Sequence, residues 1–165
     1  MEGKKTKPRA LLIFGAPCSG KTTFSMKFAE KFDLAYYDMD DIKKKYKFSD
    51  EEIISVFELI TKTRQTLIID GGINTEKERN NLKNMFIKAG YNPFLIWIQT
   101  DINTIKLRMK SRHKSISKAK IVYDDLIKDI EAPAQHEKPI ILSGKHTFET
   151  QTKHVLAGLA NDRKR

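Results

Sequence analysis

The chain has 165 residues, of which 39% are hydrophobic and 32% are charged, and its formal net charge at pH 7 is +10. This length is typical of one domain with one core, and no apolar run is long enough to span a membrane. One cysteine excludes an internal disulfide, and no apolar signal core follows the basic start, so these features together predict a cytoplasmic protein.

The first predicted elements are a tail and a strand. Residues 1–8 are polar and rich in lysine, which predicts a flexible basic tail ahead of a single domain over residues 9–165. The apolar run that follows predicts a strand over Arg9–Phe14, buried on both faces as a central parallel strand should be. This strand leads directly into a loop that begins and ends with glycine.

Residues 15–22 read GAPCSGKT and match G-x-x-x-x-G-K-[ST], the Walker A pattern of phosphate-binding loops. Glycine permits backbone conformations in which successive N–H groups point at a phosphate. Lys21 supplies a mobile positive charge for the β- and γ-phosphates, and the Thr22 hydroxyl is a suitable ligand for Mg²⁺. The predicted nucleotide-binding residues are Gly15, Ala16, Pro17, Cys18, Ser19, Gly20, Lys21, Thr22 and Thr23.

A cluster of aspartates follows the second predicted strand. Phenylalanines at helical spacing predict a helix over residues 22–32, and residues 34–37 form the strand. The strand ends in Asp38, Asp40 and Asp41. Because strand ends on this edge open into the ligand crevice, these carboxylates are candidates to orient Mg²⁺ through water or to accept a proton from a hydroxyl. The alternative is an N-cap for a helix beginning near Ile42, which explains one aspartate better than three.

A further carboxylate closes the third predicted strand. Ser49 and Glu52 form a capping-box pattern ahead of a helix, and residues 66–69 form the strand. Asp70 follows directly, and a carboxylate after a buried strand beside the Walker A strand is the Walker B arrangement, which holds Mg²⁺ directly or through water. The Gly-Gly pair after Asp70 leaves room for a substrate close to the backbone.

A basic helix follows the fourth predicted strand. Residues 75–89 form an amphipathic helix, residues 93–98 form the strand, and residues 101–112 form the next helix. Arg108 and Arg112 share a face of that helix, so they are candidates to meet charge on a transferring phosphoryl group. The alternative is a solvated helix face, which is the interpretation we favour for the neighbouring lysines.

The remaining elements complete an α/β pattern. A helix from residue 118 to about residue 131, a strand over residues 139–142 and a helix over residues 147–159 are expected. Strands that alternate with helices predict a parallel sheet of five strands with helices on both sides.

Four segments together resemble the small P-loop kinases: GAPCSGKTT, YYDMDDIKKKY, LIIDGG and FLIWIQTDINTIKLRMKSR. That superfamily contains shikimate, gluconate and adenylate kinases, the kinase domain of polynucleotide kinases, and zeta-toxin-like enzymes. The resemblance implies a three-layer α/β/α P-loop fold with a small helical lid at about residues 108–120 that includes Arg108 and Arg112.

The same resemblance implies roles for individual residues. Asp40 matches the base of the polynucleotide-kinase-like group, and Asp38 matches the Mg²⁺-orienting aspartate of shikimate kinases. The loop over residues 143–148 is implied to contact adenine. The pattern departs from the polynucleotide-kinase-like group at Lys43, where that group has an arginine that can bind phosphate through two hydrogen bonds.

These features predict a kinase that transfers the γ-phosphate of ATP to a hydroxyl of a small molecule, a nucleotide or a polynucleotide 5′ end. The cofactors are ATP and Mg²⁺, with Mg²⁺ held by Thr22, Asp38 and Asp70. The predicted catalytic residues are Lys21, Asp40, Arg108 and Arg112. The alternative is a P-loop ATPase or nucleotide-dependent switch that has no separate acceptor.

The positive charge bears on the choice of acceptor. A net charge of +10 is compatible with nucleic acid, but the lysines are spread along the chain and no aromatic-interleaved RNA-binding pattern accompanies them. A polyphosphate ligand accounts for basic charge as well. A nucleic-acid substrate is therefore the less favoured interpretation.

Overall fold

The computed structural model of the protein describes residues 7–112, 124, 127–128 and 130–161, and for Arg112 it describes the backbone alone. Five parallel strands form one sheet in the order β2-β3-β1-β4-β5. The strands are β1 (Arg9–Phe14), β2 (Ala35–Asp38), β3 (Leu67–Asp70), β4 (Asn92–Gln99) and β5 (Ile140–Ser143). The predicted five-stranded parallel sheet is confirmed.

Helices connect the strands in the described part of the chain. They are α1 (Lys21–Phe32), α2 (Met39–Tyr46), α3 (Asp50–Thr61), α4 (Glu76–Lys88), α5 (Ile102–Arg112) and α6 (Phe148–Asn161). A short 3₁₀ turn, Gln135–Glu137, precedes β5. This arrangement is the predicted α/β fold.

Both faces of the central strand are buried, as predicted. Leu12 and Phe14 point toward α3 and α4, where they pack in a core that includes Phe57 and Phe86. Leu11 and Ile13 point to the opposite face, where a second core includes Phe28 of α1 and Val155 of α6. Because successive side chains of a strand alternate between faces, β1 supplies both cores and holds the loop that follows it firmly in place.

The helices begin at polar caps that follow from the local sequence. The hydroxyl of Ser49 accepts the N–H of Glu52, and the Glu52 carboxylate accepts the N–H of Ser49 at 2.7 Å, which confirms the predicted capping box. Thr75 and Glu78 form the same reciprocal pair at the start of α4. Each box satisfies backbone donors that the helix itself cannot satisfy.

The predicted start of the second helix near Ile42 is wrong. α2 begins at Met39, because the carboxylate of Asp38 accepts the N–H of Asp41 at 2.9 Å and caps the helix there. Asp40 and Asp41 consequently lie in the first helical turn, where the helix dipole favours negative charge.

One buried ion pair links α4 to the segment before β5. The side chains of Arg79 and Glu137 are almost fully buried, and the guanidinium donates to both carboxylate oxygens at 2.8 and 2.9 Å. Its Nη1 also donates to the carbonyls of Asn74 and Glu131, and the group lies 4.7 Å from the ring centroid of Phe14. Arg79 thereby joins the end of β1, the loop after β3 and the segment before β5.

Some sequence-based predictions concern residues outside the part of the chain that the structure describes. Most of the predicted lid at about residues 108–120, most of the helix predicted over residues 118–131 and most of the predicted tail over residues 1–8 are among them. Across the residues that are described, no helix combines the length and apolar character needed to cross a membrane.

The buried ion pair gives a stability prediction. We expect Arg79→Met to lower the free energy of unfolding by about 3–5 kcal/mol, because it leaves the Glu137 carboxylate buried without its partner. Lys43→Met is the matched control, because Lys43 forms an ion pair with Asp50, whose side chain is 79% exposed, and such pairs contribute about 1 kcal/mol or less. Urea unfolding of both variants provides the measurement, and equal losses would contradict the prediction.

Candidate functional site

The loop of residues 15–20 joins β1 to α1 at the carboxyl edge of the sheet. Gly15 has a φ of 152°, and a Cβ there would overlap the carbonyl oxygen of Ile98 on the neighbouring strand β4. Gly20 has a φ of 104°, which is also unfavourable for other residues. The two glycines of the Walker A pattern are therefore required by the backbone path of the loop.

The start of α1 is suited to an anion. Its N-cap residue is Gly20, and among the described residues no side chain caps this helix and no acidic residue lies in its first turn. The first N–H groups of a helix have no partners within the helix, and the helix dipole gives that end positive character. Lys21 stands at the first position of the helix, so backbone donors and a positive charge occur together.

A carboxylate and two hydroxyls meet beside this loop. The hydroxyl of Thr22 donates to Oδ2 of Asp70 at 2.7 Å, and the hydroxyl of Tyr36 donates to the same oxygen at 3.3 Å. Burial raises the pKa of Asp70, although the hydrogen bond from Thr22 and the charge of Lys21 oppose the rise. Burial also raises the pKa of Tyr36, and the nearby negative charge of Asp70 adds to that effect.

The donor set of this cluster fits a magnesium ion. Oδ1 of Asp70 is buried and has no hydrogen-bond partner among the described residues, so one carboxylate oxygen remains to accept a ligand or its water. Thr22 adds a hydroxyl, and Mg²⁺ prefers oxygen ligands while it keeps several waters. No group of three or more His, Cys, Asp or Glu side chains suited to a metal occurs in the described ranges. The donors present, one carboxylate oxygen and one hydroxyl, suit a cation that takes its other ligands from water and phosphate.

The aspartates after β2 take two different positions. Asp38 pairs in register with Asp70 across β2 and β3, and one oxygen of its carboxylate caps α2. Asp40 makes no side-chain hydrogen bond among the described residues. Although Asp40 is exposed, the protein atoms around its carboxylate remove part of its hydration and raise its pKa, while Lys21 opposes the rise.

The space beside Gly71 and Gly72 is occupied by side chains of the protein itself. A Cβ on Gly71, where φ is 79°, would overlap the carboxylate of Asp40. A Cβ on Gly72 would overlap the side chain of Met39. The expectation that these glycines leave room for a substrate is therefore corrected: they allow the first turn of α2 to approach the end of β3, and this approach positions Asp40.

Arg108 is engaged with backbone rather than extended over the loop. Its Nη1 donates to the carbonyls of Cys18 and Ser19 at 3.1 Å each, and its Nη2 donates to the carbonyl of Gly144 at 2.8 Å. This arrangement differs from the expectation that the Arg108 guanidinium meets the charge of a transferring phosphoryl group. Arg112 lies on the same helix, and its side chain is outside the described part of the structure.

A cavity of about 400 Å³ lies beside the phosphate-binding loop and Arg108. The loop after β5 forms its other side, and that loop falls within residues 143–148, the segment implied to contact adenine. The lining residues include Cys18, Gly20, Thr23, Arg108, Gly144 and Phe148. This cavity has a suitable position for the base of a nucleotide whose phosphates lie at the loop.

Two residues of this site were not identified from the sequence. Tyr36 contacts Asp70, and Thr100 donates its hydroxyl hydrogen to the carbonyl of Ser19 at 2.9 Å. The position of each residue in the sequence could have identified it. Tyr36 stands two residues before Asp38 and so shares its face of the strand, and Thr100 follows the end of β4 at the carboxyl edge.

Residues 11–135 match the model of the protein family described as AAA domain. The matched range includes most of β1, the phosphate-binding loop of residues 15–20, the aspartates after β2, Asp70 and Arg108. No curated protein matches the chain significantly in sequence.

Several solved structures share the fold at low sequence identity. A gluconokinase from Sinorhizobium meliloti 1021 aligns with a TM-score of 0.69 and 14% identity over 95% of this chain and 94% of that chain. The APS kinase of Mycobacterium tuberculosis, in complex with AMPPNP and APS, aligns with a TM-score of 0.67 and 13% identity over 93% of this chain and 98% of that chain. Kti12 from Chaetomium thermophilum, in complex with ADP-AlF3, aligns with a TM-score of 0.69 and 15% identity over 92% of this chain and 97% of that chain. The predicted P-loop kinase fold is thereby confirmed.

The contacts of Arg108 give a binding prediction. We expect Arg108→Ala to weaken nucleotide affinity by about tenfold or more, because three charge-assisted hydrogen bonds to the loops around the cavity are lost. Lys110→Ala is the matched control on the exposed side of the same helix. Titration with a fluorescent ADP analogue measures both. Unchanged affinity combined with slower turnover would instead give Arg108 a role in the transition state.

Proposed function

The chain belongs to the family described as AAA domain, and we propose on that premise that it is an ATP-dependent phosphotransferase. Its substrate is ATP with Mg²⁺, and the γ-phosphate passes to a hydroxyl of a small molecule, a nucleotide or a polynucleotide 5′ end. The last of these acceptor classes is consistent with the charge of +10, but the spread of the lysines along the chain makes it the less favoured one.

Nucleotide binding is supported by the loop of residues 15–20 and the uncapped start of α1. Lys21 is proposed to contact the β- and γ-phosphates, and the cavity beside Arg108 is proposed to hold adenine. Structures with the same fold were solved with AMPPNP in an APS kinase and with ADP-AlF3 in Kti12. These ligands support nucleotide binding by this chain.

The proposed cation ligands are Thr22 and Asp70, with Asp38 acting through water. Mg²⁺, when bound, supplies positive charge that neutralises the phosphates and the charge that develops during transfer. The raised pKa of Asp70 supports this assignment, because a buried carboxylate without a full set of hydrogen bonds is stabilised in its charged form by a cation.

One observation favours a kinase over a switch: the position of Asp40. Its carboxylate lies against Gly71, close enough to Lys21 for their charges to interact, and no described hydrogen bond or ion pair occupies it. A carboxylate that caps a helix or forms an ion pair would have a structural explanation. Among the described residues Asp40 neither caps a helix nor forms an ion pair, so we assign it as the group that orients an acceptor hydroxyl and accepts its proton.

The transferring phosphoryl group also needs positive charge. Lys21 supplies part of it, and Arg112, one turn after Arg108 on α5, is the proposed second source. Arg108 acts in this proposal by holding the phosphate-binding loop against the loop after β5. Lys21 and Arg112 are therefore assigned to catalysis and are expected to meet the phosphates directly, whereas Arg108 is assigned to positioning the loop.

The direct test is a screen for transfer of labelled γ-phosphate to sugars, other metabolites, nucleosides, nucleotides and 5′-hydroxyl oligonucleotides. A reaction without acceptor measures hydrolysis, and Lys21→Ala provides the inactive control. A labelled product that depends on the acceptor supports the kinase. Hydrolysis that no acceptor changes would instead support the alternative of a P-loop ATPase or switch.

The role of Asp40 gives a rate prediction. We expect Asp40→Asn to lower acceptor phosphorylation by about a hundredfold or more, because the amide cannot accept the hydroxyl proton. Hydrolysis of ATP should fall much less, since water needs no acceptor site. Asp41→Asn is the matched control, because Asp41 is exposed on the same helical turn. Transfer and hydrolysis are measured side by side.

The pH dependence of phosphoryl transfer provides a second test of Asp40. Only the deprotonated carboxylate accepts a proton, and the pKa of Asp40 is raised, so transfer should fall on acidification at a higher pH than for an ordinary aspartate. This acidic limb should be absent in Asp40→Asn. Equal loss of transfer and hydrolysis in that variant, together with a higher Mg²⁺ requirement, would make Asp40 a cation residue instead of a base.

A further inference from the structure

Two hydroxyl groups hold the same oxygen of Asp70. Thr22 donates to Oδ2 at 2.7 Å and Tyr36 donates to it at 3.3 Å, while Oδ1 is buried without a partner among the described residues. Rotation of the carboxylate would break both hydrogen bonds. The asymmetry therefore keeps one defined oxygen of Asp70 available for a further ligand.

The sheet fixes the position of the Tyr36 hydroxyl. Tyr36 pairs with Ile68 in the register of β2 and β3, so it lies on the same face as Asp70, two residues further along β3. Its ring packs against the core between the sheet and α1. The adjacent Tyr37 points to the other face, where its ring meets the edge of Phe57. Only one of the two tyrosines can therefore reach Asp70.

We propose that Tyr36 is a positioning residue for the divalent cation that accompanies the nucleotide. Its hydroxyl holds Oδ2 of Asp70 and so leaves Oδ1 to bind the cation or one of its waters. This inference rests on the proposed nucleotide site and adds to it a residue outside the proposed ligand set. Groups that orient a metal ligand from behind it typically change metal affinity by about 10–100-fold when they are removed.

Tyr36 has a task that Thr22 cannot perform alone. The hydroxyl of Thr22 can bind the cation through its oxygen and still donate its single hydrogen to Asp70, but one hydrogen bond alone leaves the carboxylate free to turn about it. The phenol of Tyr36 is held by the sheet and by the core on the α1 side. It therefore offers Asp70 a donor whether or not a cation is bound.

The test compares Tyr36→Phe with Tyr37→Phe, which removes the same atom from the neighbouring residue on the opposite face. Binding of a fluorescent ADP analogue is titrated at stepped MgCl₂ concentrations and in EDTA. We expect Tyr36→Phe to raise the Mg²⁺ concentration for half-maximal binding by about tenfold or more. Binding in EDTA should stay within about twofold of the parent, and Tyr37→Phe should change neither quantity.

A donor-retaining substitution separates positioning from packing. Replacement of Tyr36 by 4-aminophenylalanine keeps the ring and an N–H donor, so it should restore most of the Mg²⁺ response that phenylalanine loses. Thermal unfolding in EDTA shows whether each variant is folded. If Tyr36→Phe proves unfolded, the comparison of the parent with the 4-aminophenylalanine variant decides instead, and a large shift between those two would overturn the proposal.

The remaining outcomes are also decisive. An unchanged Mg²⁺ midpoint in Tyr36→Phe overturns the inference, and so does an equal loss of binding with and without Mg²⁺, which would mean that the hydroxyl shapes the pocket. A parent protein that binds ADP with no response to Mg²⁺ overturns the inference and leaves nucleotide binding intact. A parent that binds no nucleotide overturns this inference and the proposed function together.

Discussion

Parallel pairing of β3 with the central strand β1 determines the geometry of the site. In that register Asp70 lies opposite Ile13, two residues before Gly15, so the carboxylate and the start of the phosphate-binding loop are at the same level of the sheet. Thr22, in the first turn of the next helix, then reaches Asp70 at 2.7 Å. A shift of one residue would turn Asp70 to the opposite face, because side chains alternate along a strand. That shift would also move the Asp70 carboxylate into the apolar core on the α3 and α4 side, which is unfavourable for a charged group.

The sequence predicted those parts of the site that depend on neighbouring residues. The Walker A loop, Asp70 at the end of an apolar run, and the capping box at Ser49 are local patterns with a local physical cause. Tyr36 was not identified, because its contact with Asp70 exists only once β2 is known to pair with β3. Strand order follows from how helices cover the sheet, and no short segment contains that information. Thr100 contacts the loop for the same long-range reason.

The Gly-Gly pair shows how a correct signal can receive a wrong interpretation. Glycine at positions 71 and 72 does indicate a close approach to the backbone, with φ values of 79° and 67°. The groups that approach are the protein's own Asp40 and Met39, from the first turn of α2. Sequence alone could not identify them, because that turn was expected to begin later, near Ile42. The cap at Asp38 brings the helix forward by about one turn and so delivers Asp40 to the end of β3.

The two arginines of α5 are proposed to have different roles. A guanidinium that moves over the phosphates during transfer must first leave its present partners, and Arg108 has three carbonyl partners on two different loops. Each such charge-assisted bond contributes about 1.5–3 kcal/mol, so its release would oppose the stabilisation that the arginine could offer in the transition state. The same bonds stabilise the walls of the cavity for as long as they persist. Arg108 is therefore proposed as the fixed group of α5, and Arg112, one turn later on the helix, as the group that supplies charge to the phosphates.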